Sequence, residues 1–283
     1  MQRIYLFLMG FFLEFCRLSP VKGGCSTKIP DMACIPAGEF LRGYNMGLPE
    51  EQGEALIFVD SFYIDLFEVT NADFEECVKA GGCLGCLANK TCSYVGARYG
   101  KPYQRPRQPA IGIPWYAARD YCAFVGKRLP TESEWEKAAR GENGELYPWG
   151  NDPPNCTRAV IEENGRKGCA TELKSPAYLM TTQDVGSRPP GRYGLYDMAG
   201  NAWEWVLDWF SPYQSCGEVC FEKNPRGPCR GAENCPGFSH KVLKGGSWWW
   251  PAEYTRGSYR RHNDPGFWEE YHHFGFRCAK DSY

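Results

Sequence analysis

The chain has 283 residues, with 32 Lys and Arg against 34 Asp and Glu and a formal net charge of −2. Its basic residues are scattered rather than striped, which excludes the charge footprint of a nucleic-acid binder or of a protein held on an anionic membrane surface. With 32 glycines, 21 prolines and 15 cysteines, and few helical repeats, it is no bundle or coiled coil but a turn-rich globular fold.

Met1, Gln2 and Arg3 make a charged start, and residues 4–15 are apolar apart from Glu14. That is the length of a signal-peptide core and is too short to span a bilayer. Residues 1–24 are therefore expected to be a signal peptide and 25–283 one domain, with the protein exported (secreted, periplasmic or cell-surface) and no transmembrane span. Cys25, after Gly23 and Gly24, offers a lipid-attachment alternative, opposed by Val21 and Lys22 where an apolar residue is wanted. Residues 32–41 alternate weakly and read as an opening strand; residues 57–64 (IFVDSFYI) alternate aromatic with polar side chains, a strand with one buried face. Thr70 and the acidic turn behind it start a short helix over 71–78. Residues 79–108 are a Cys-, Gly- and Pro-rich loop. The helix over 115–125 is expected to turn Tyr116, Ala117, Cys122 and Phe124 inward. Thr131 and Glu134 then form an S/T-x-x-E capping box, and Gly141 closes that helix. Residues 142–190 and 211–240 read mostly as loop, with strands at Val242 and Leu243 and over 275–278. Loops this long in one domain are usually pinned by disulfides or metals.

The cysteines fit that role. Cys77, Cys83, Cys86 and Cys92, then Cys156 and Cys169, Cys216 and Cys220, and Cys229 and Cys235 all lie in Gly-, Pro- and Asn-rich sequence. Cys83 and Cys86 could form one zinc knuckle, but a second C-x2-C is missing. Disulfides stapling the loops are expected, and with them an oxidising compartment. If Cys16 leaves with the signal peptide, fourteen of the 15 cysteines remain, an even number.

Residues 194–205, GLYDMAGNAWEW, interleave the oxygen donors Asp197, Asn201 and Glu204 with glycines. Such spacing suits a hard cation such as calcium, which takes several oxygens around a tight turn. Seven segments stand in order along the chain: IPAGEFLRG (35–43), FYIDLFEVTNADF (62–74), YCAFVGKRLPTESEWEKAARG (121–141), YPWGN (147–151), VGSRPPGRYGLYDMAGNAWEWVLDWF (185–210), LKGGSW (243–248) and GFRCA (275–279). Together they resemble the formylglycine-generating enzyme family, also called the sulfatase-modifying-factor domain, over about residues 32–281. The resemblance implies an α+β domain with little regular secondary structure, related to the C-type-lectin-like fold. It implies a structural calcium held by Asp197 and Glu204 and by the backbone carbonyls of Gly200 and Ala202, with Glu68 close by. A second calcium would fall at Asn155 and Cys156, although its downstream acidic partner does not align. It also implies a disulfide between Cys122 and Cys278.

Catalysis in this family rests on two cysteines, five residues apart, just after the GGS(W/Y) motif. They bind copper(I), a soft ion suited to thiolates, and oxygen activated there converts a substrate cysteine to formylglycine. Here the segment reads GGSWWWPAEYTRGSYRR (245–261), and the matching positions fall at about Trp250 and Thr255. Neither supplies a thiolate, so copper chemistry is not expected. Ser247 matches a serine that assists the oxygen chemistry, but no partner base is evident, and a Gly-Gly-Ser turn explains it equally well. An iron site would need converging histidines; His240, His262, His272 and His273, with Glu269 and Glu270 nearby, sit in irregular sequence and read as loop residues. What remains is an aromatic and arginine-rich cleft of Trp249, Trp250, Tyr254, Arg256, Tyr259 and Arg260, joined by Arg261 and backed by Trp248 in the core. That is recognition chemistry. The expected function is recognition of a peptide, protein or glycan. The alternative is an oxidoreductase of the formylglycine-generating type, or a non-haem iron variant of it.

Overall fold

The computed structural model describes residues 24–25, 27–83, 101–171, 180–266 and 273–282. Residues 1–23 of the expected signal peptide, with Cys16, lie outside the described residues, as do Cys86, Cys92, Glu269, Glu270 and His272.

The opening stretch is two strands rather than one. Strand β1 (Met32–Ile35) stops at Pro36, which has no N–H to give a ladder, and β2 (Gly38–Arg42) begins beyond it. Residues 57–64 divide in the same way, into β3 (Ala55–Val59) and β4 (Phe62–Asp65). Between them Asp60 turns outward to Lys223 (2.8 Å) and Asn224 (2.7 Å). Helix α1 (Asn71–Lys79) starts as expected, the Thr70 hydroxyl accepting from the Asp73 N–H.

Helix α2 (Trp115–Phe124) buries Trp115, Ala118, Tyr121 and Cys122, one face of a 3.6-residue period. Tyr116 and Phe124, expected inside, are 36% and 49% exposed. The disulfide from Cys122 to Cys278 fixes which face looks inward, and at 100° per residue positions 116 and 124 fall off it. Helix α3 (Glu132–Arg140) carries the full capping box, Glu134 accepting from the Thr131 N–H at 2.7 Å, and ends at Gly141 with φ 69°. All nine of its residues are buried.

Downstream come β5 (Trp203–Trp209), the short helix α4 (Tyr213–Cys216), β6 (Lys241–Lys244), β7 (Arg261–Asn263), β8 (Phe274–Gly275) and β9 (Ala279–Asp281). They assemble as an antiparallel sheet ordered β1-β4-β9, a β2-β3 ribbon, and a sheet ordered β7-β6-β5-β8 in which β5 and β8 run parallel. The single strand expected over 275–278 is instead the join between two sheets, with Phe276, Arg277 and Cys278 all fully buried. One core cluster packs Phe74, Trp115, Trp203, Trp205 and Phe276 between α1, α2 and the four-stranded sheet. A second packs Ile35, Phe40, Ile64, Trp135 and Val242 around α3.

Among the described residues six disulfides staple this α+β domain: Cys25–Cys34, Cys77–Cys83, Cys122–Cys278, Cys156–Cys169, Cys216–Cys220 and Cys229–Cys235. The first corrects the lipid-attachment alternative, because the Cys25 sulfur is already bonded. The second removes Cys83 from any zinc knuckle. Among the described residues no helix is long and apolar enough to cross a membrane.

Candidate functional site

The 194–205 segment turns sharply into β5. Asp197, Gly200 and Asn201 have φ of 56°, 82° and 60°, and a Cβ at Gly200 would stand 2.5 Å from the Val160 carbonyl oxygen. Only glycine meets both demands at that position. Glu68, just past β4, reaches across to accept from Asn201 Nδ2 (2.6 Å) and the Ala202 N–H (2.9 Å). Asp197 accepts from the Gly186 N–H (2.7 Å). Glu204 meets both arms of the Arg277 guanidinium at 2.7 Å and also accepts from Trp135 Nε1 at 2.7 Å.

The fold thus gathers Glu68, Asp197 and Glu204 in one buried neighbourhood, and Arg277 forms its ion pair with Glu204. Burial, reinforced by the Asp197 and Glu204 charges, raises the Glu68 carboxyl well above its ordinary range. Burial and the charge of Glu204 push Asp197 up to about 6. As placed, no three His, Cys, Asp or Glu side chains among the described residues converge on a metal centre. At the expected second site the donors are spent within the chain. Asn155 Oδ1 accepts from Thr157 N–H (3.0 Å) and hydroxyl (2.6 Å), and the Cys156 carbonyl accepts from Arg188 Nε (2.7 Å).

The segment after the glycine pair is tightly packed. A Cβ at Gly246 would lie 2.6 Å from Thr255 Cγ2. Thr255 is fully buried and donates to the Ala252 carbonyl at 2.7 Å. Ser247 is also fully buried, its hydroxyl 3.5 Å from the Trp249 N–H. Trp250 packs against Tyr254 (5.0 Å between ring centroids) and Trp203 (6.4 Å), and Tyr259 closes the group at 5.1 Å from Tyr254 and 5.7 Å from Trp203. Arg261 lies over Trp203 and Trp250. Trp248 is in the core, whereas Trp249 is 39% exposed, edge-on to Trp248 with Lys167 Nζ over its ring.

Two residues expected in the cleft are elsewhere. Arg256 forks onto Glu51 at 2.6 and 2.9 Å. Arg260, 2% exposed, forks onto Glu132 at 2.6 and 2.9 Å and lies over the Tyr213 ring. The reason is electrostatic: Glu51 and Glu132 are buried, and a buried carboxylate needs a paired cation. Against the upward push of burial, Arg260 and Lys244 hold the Glu132 carboxyl below its usual value. The buried set Glu136, Arg140 and Lys244 was missed altogether; only the i, i+4 spacing of Glu136 and Arg140 hinted at it. His240 and His262, read as unrelated loop residues, have their Nδ1 atoms 3.0 Å apart. A cavity of 490 Å³ is lined by Asp31, Asp65, Glu68, Thr70, Tyr121 and Lys127 among others, and contains none of the expected cleft residues.

Comparison with known proteins places the chain. The sulfatase-modifying factor enzyme 1-like domain matches residues 19–282. Formylglycine-generating enzyme of Bos taurus is 33% identical over 304 residues, covering 92% of this chain and 77% of that protein. Inactive C-alpha-formylglycine-generating enzyme 2 of Mus musculus is 31% identical over 296 residues, covering 89% and 86%. The structure of PvdO from Pseudomonas aeruginosa superposes with a TM-score of 0.66 at 24% identity, over 92% of this chain and 98% of that one, a likeness of fold. The chain belongs to the sulfatase-modifying factor enzyme 1-like domain family.

Proposed function

We propose that this is an exported, calcium-holding member of the family. It recognises a peptide, protein or glycan through the surface around Trp249 and Trp250, and it does not use copper-thiolate chemistry. The observation that carries this reading is the fate of the two positions matched to the thiolate pair. Trp250 is locked in an aromatic cluster, and the Thr255 hydroxyl is committed to a backbone carbonyl. All twelve cysteines among the described residues are in disulfides, so none offers a thiolate. The mouse relative named as inactive favours the same reading. Exposed Trp249 with Lys167 over its ring puts an aromatic side chain and a cation together at the surface, suited to sugar rings or peptide side chains.

Calcium is supported by donor chemistry. Asp197, Glu204 and Glu68, with the carbonyls of Gly200 and Ala202, are hard oxygen donors. A divalent charge among them would offset the repulsion that raises Glu68 and Asp197. Asn155 and Cys156 are left out of this proposal because no acidic partner aligns downstream of them, whereas the first site gathers three carboxylates. Export is supported by the six disulfides among the described residues, since disulfides persist in oxidising compartments.

The second reading, an oxygen-dependent oxidase of protein cysteines, is favoured by the 33% identity to the bovine enzyme. One experiment decides between them. The disulfide-intact protein is assayed for bound metals and for oxygen uptake with a cysteine-containing sulfatase peptide, and its ligands are sought on glycan and peptide arrays alongside Trp249→Ala. Stoichiometric calcium, no oxygen uptake and array binding lost in the variant are expected. Bound copper or iron with turnover would establish the oxidase.

A further inference from the structure

His240 and His262 meet for a reason visible in the strand register. Val242 of β6 stands opposite His262 of β7, and His240, two residues before Val242, shares its face by strand alternation. The two imidazoles are close to coplanar, 24° between planes with centroids 5.1 Å apart, so the Nδ1 atoms face each other at 3.0 Å. Neighbours keep the two residues close together. His262 stacks on Phe210 at 3.8 Å, and the Phe210 N–H donates to the His240 carbonyl at 2.8 Å. Both residues are half-buried, so solvent ions reach them.

We propose that His240 and His262 form a site for a borderline divalent transition ion, Zn²⁺ or Cu²⁺, bound by the two Nδ1 atoms in place of the proton they share. Imidazole is the natural nitrogen ligand of these ions. Two metal–nitrogen bonds of about 2.0–2.1 Å span roughly 2.9 Å at the square-planar angle of Cu²⁺ and roughly 3.3 Å at the tetrahedral angle of Zn²⁺, close to the present 3.0 Å, so each ring has only to turn its Nδ1 toward the ion. The ring that donates in the free pair moves its proton to Nε2, leaving both Nδ1 lone pairs on the ion with no net proton released. Water completes the coordination. Metal binding needs the neutral ring. Burial and the adjacent His240, with Arg260 and Arg261, lower the His262 pKa, while Glu50 opposes them. The site is independent of the calcium loop and of the Trp249 surface.

The test is calorimetric titration of the full, disulfide-intact protein with ZnCl₂, and separately CuSO₄, in excess calcium. Binding of one ion per chain is expected. His240→Asn and His262→Asn should each weaken it at least as much as the roughly 10–100-fold typical of losing an outer-sphere partner. Zn²⁺ should also shift the Nδ1 resonances of both rings in the ¹⁵N spectrum of the unaltered protein, a readout that needs no variant to fold. Unchanged affinity in both variants, or Nδ1 resonances that stay put with Zn²⁺ in large excess, overturns the proposal.

Discussion

Arg277 is the residue on which three segments depend. Beside its fork to Glu204 it donates to the carbonyls of Asp65, Leu66 and Tyr196, tying β4, the 194–205 turn and the β8–β9 join together. Arg277→Met should therefore cost about 3–5 kcal/mol in urea unfolding, because it leaves Glu204 buried and unpaired. Asp197 carries a pH signature. Its folded pKa, about 6, lies above the ordinary 3.8, so the native state keeps a proton that the unfolded chain gives up. That contribution is fully present below about pH 4 and is lost as pH rises through 6. Added calcium should offset the loss, so the calcium-induced rise in Tm should grow from pH 5 to pH 7.5 and vanish in Asp197→Asn; a Tm indifferent to calcium at both pH values would remove the calcium proposal. Residue types and order alone pointed to this turn. They could not sort Arg256, Arg260 and Arg261, which look alike in sequence. Only the buried carboxylates Glu51 and Glu132, from distant segments, determine which arginines turn inward.

At the scale of elements, α3 shows where pattern reading succeeds and fails. Thr131, Glu134 and Gly141 mark its ends because caps are local chemistry. Its burial was illegible, since five charged residues in nine ordinarily mean a solvated face. Against burial, Lys244, Arg140 and the Gly43 N–H hold Glu136 down at about 2, below its ordinary 4.5. The stabilisation is thus present above about pH 4.5 and lost as pH falls toward 2. Glu136→Gln should flatten acid unfolding in that window while lowering stability at pH 7, measured by denaturant titration at each pH. The strands failed differently. Residues 57–64 have one alternating pattern but serve two sheets, and Asp60 breaks the run for partners at 223 and 224 that no local window contains.

For the molecule as a whole, the long-range closures dominate. The Cys122–Cys278 disulfide spans 156 residues, and on the chain-entropy model its removal in Cys122→Ser/Cys278→Ser should cost up to about 5 kcal/mol. Thermal unfolding of the variant beside the native protein measures it; a Tm within error of the native value would show that non-covalent contacts already close that loop. The fold class was legible through seven ordered motifs. The aromatic site was only half legible, because the burial of Trp250, Thr255 and Arg260 is set by contacts from across the chain.

Strand β4 lies between β1 and β9, so one of its edges is completed only by Ala279, Lys280 and Asp281. On a ribosome, β1 and β4 emerge early, yet that edge of the sheet stays unpaired until nearly all of the domain has been made. An open edge is a template for pairing with other chains, and closure over so long a separation is slow. Nascent chains of this protein therefore carry an open sheet edge through most of the synthesis of the domain.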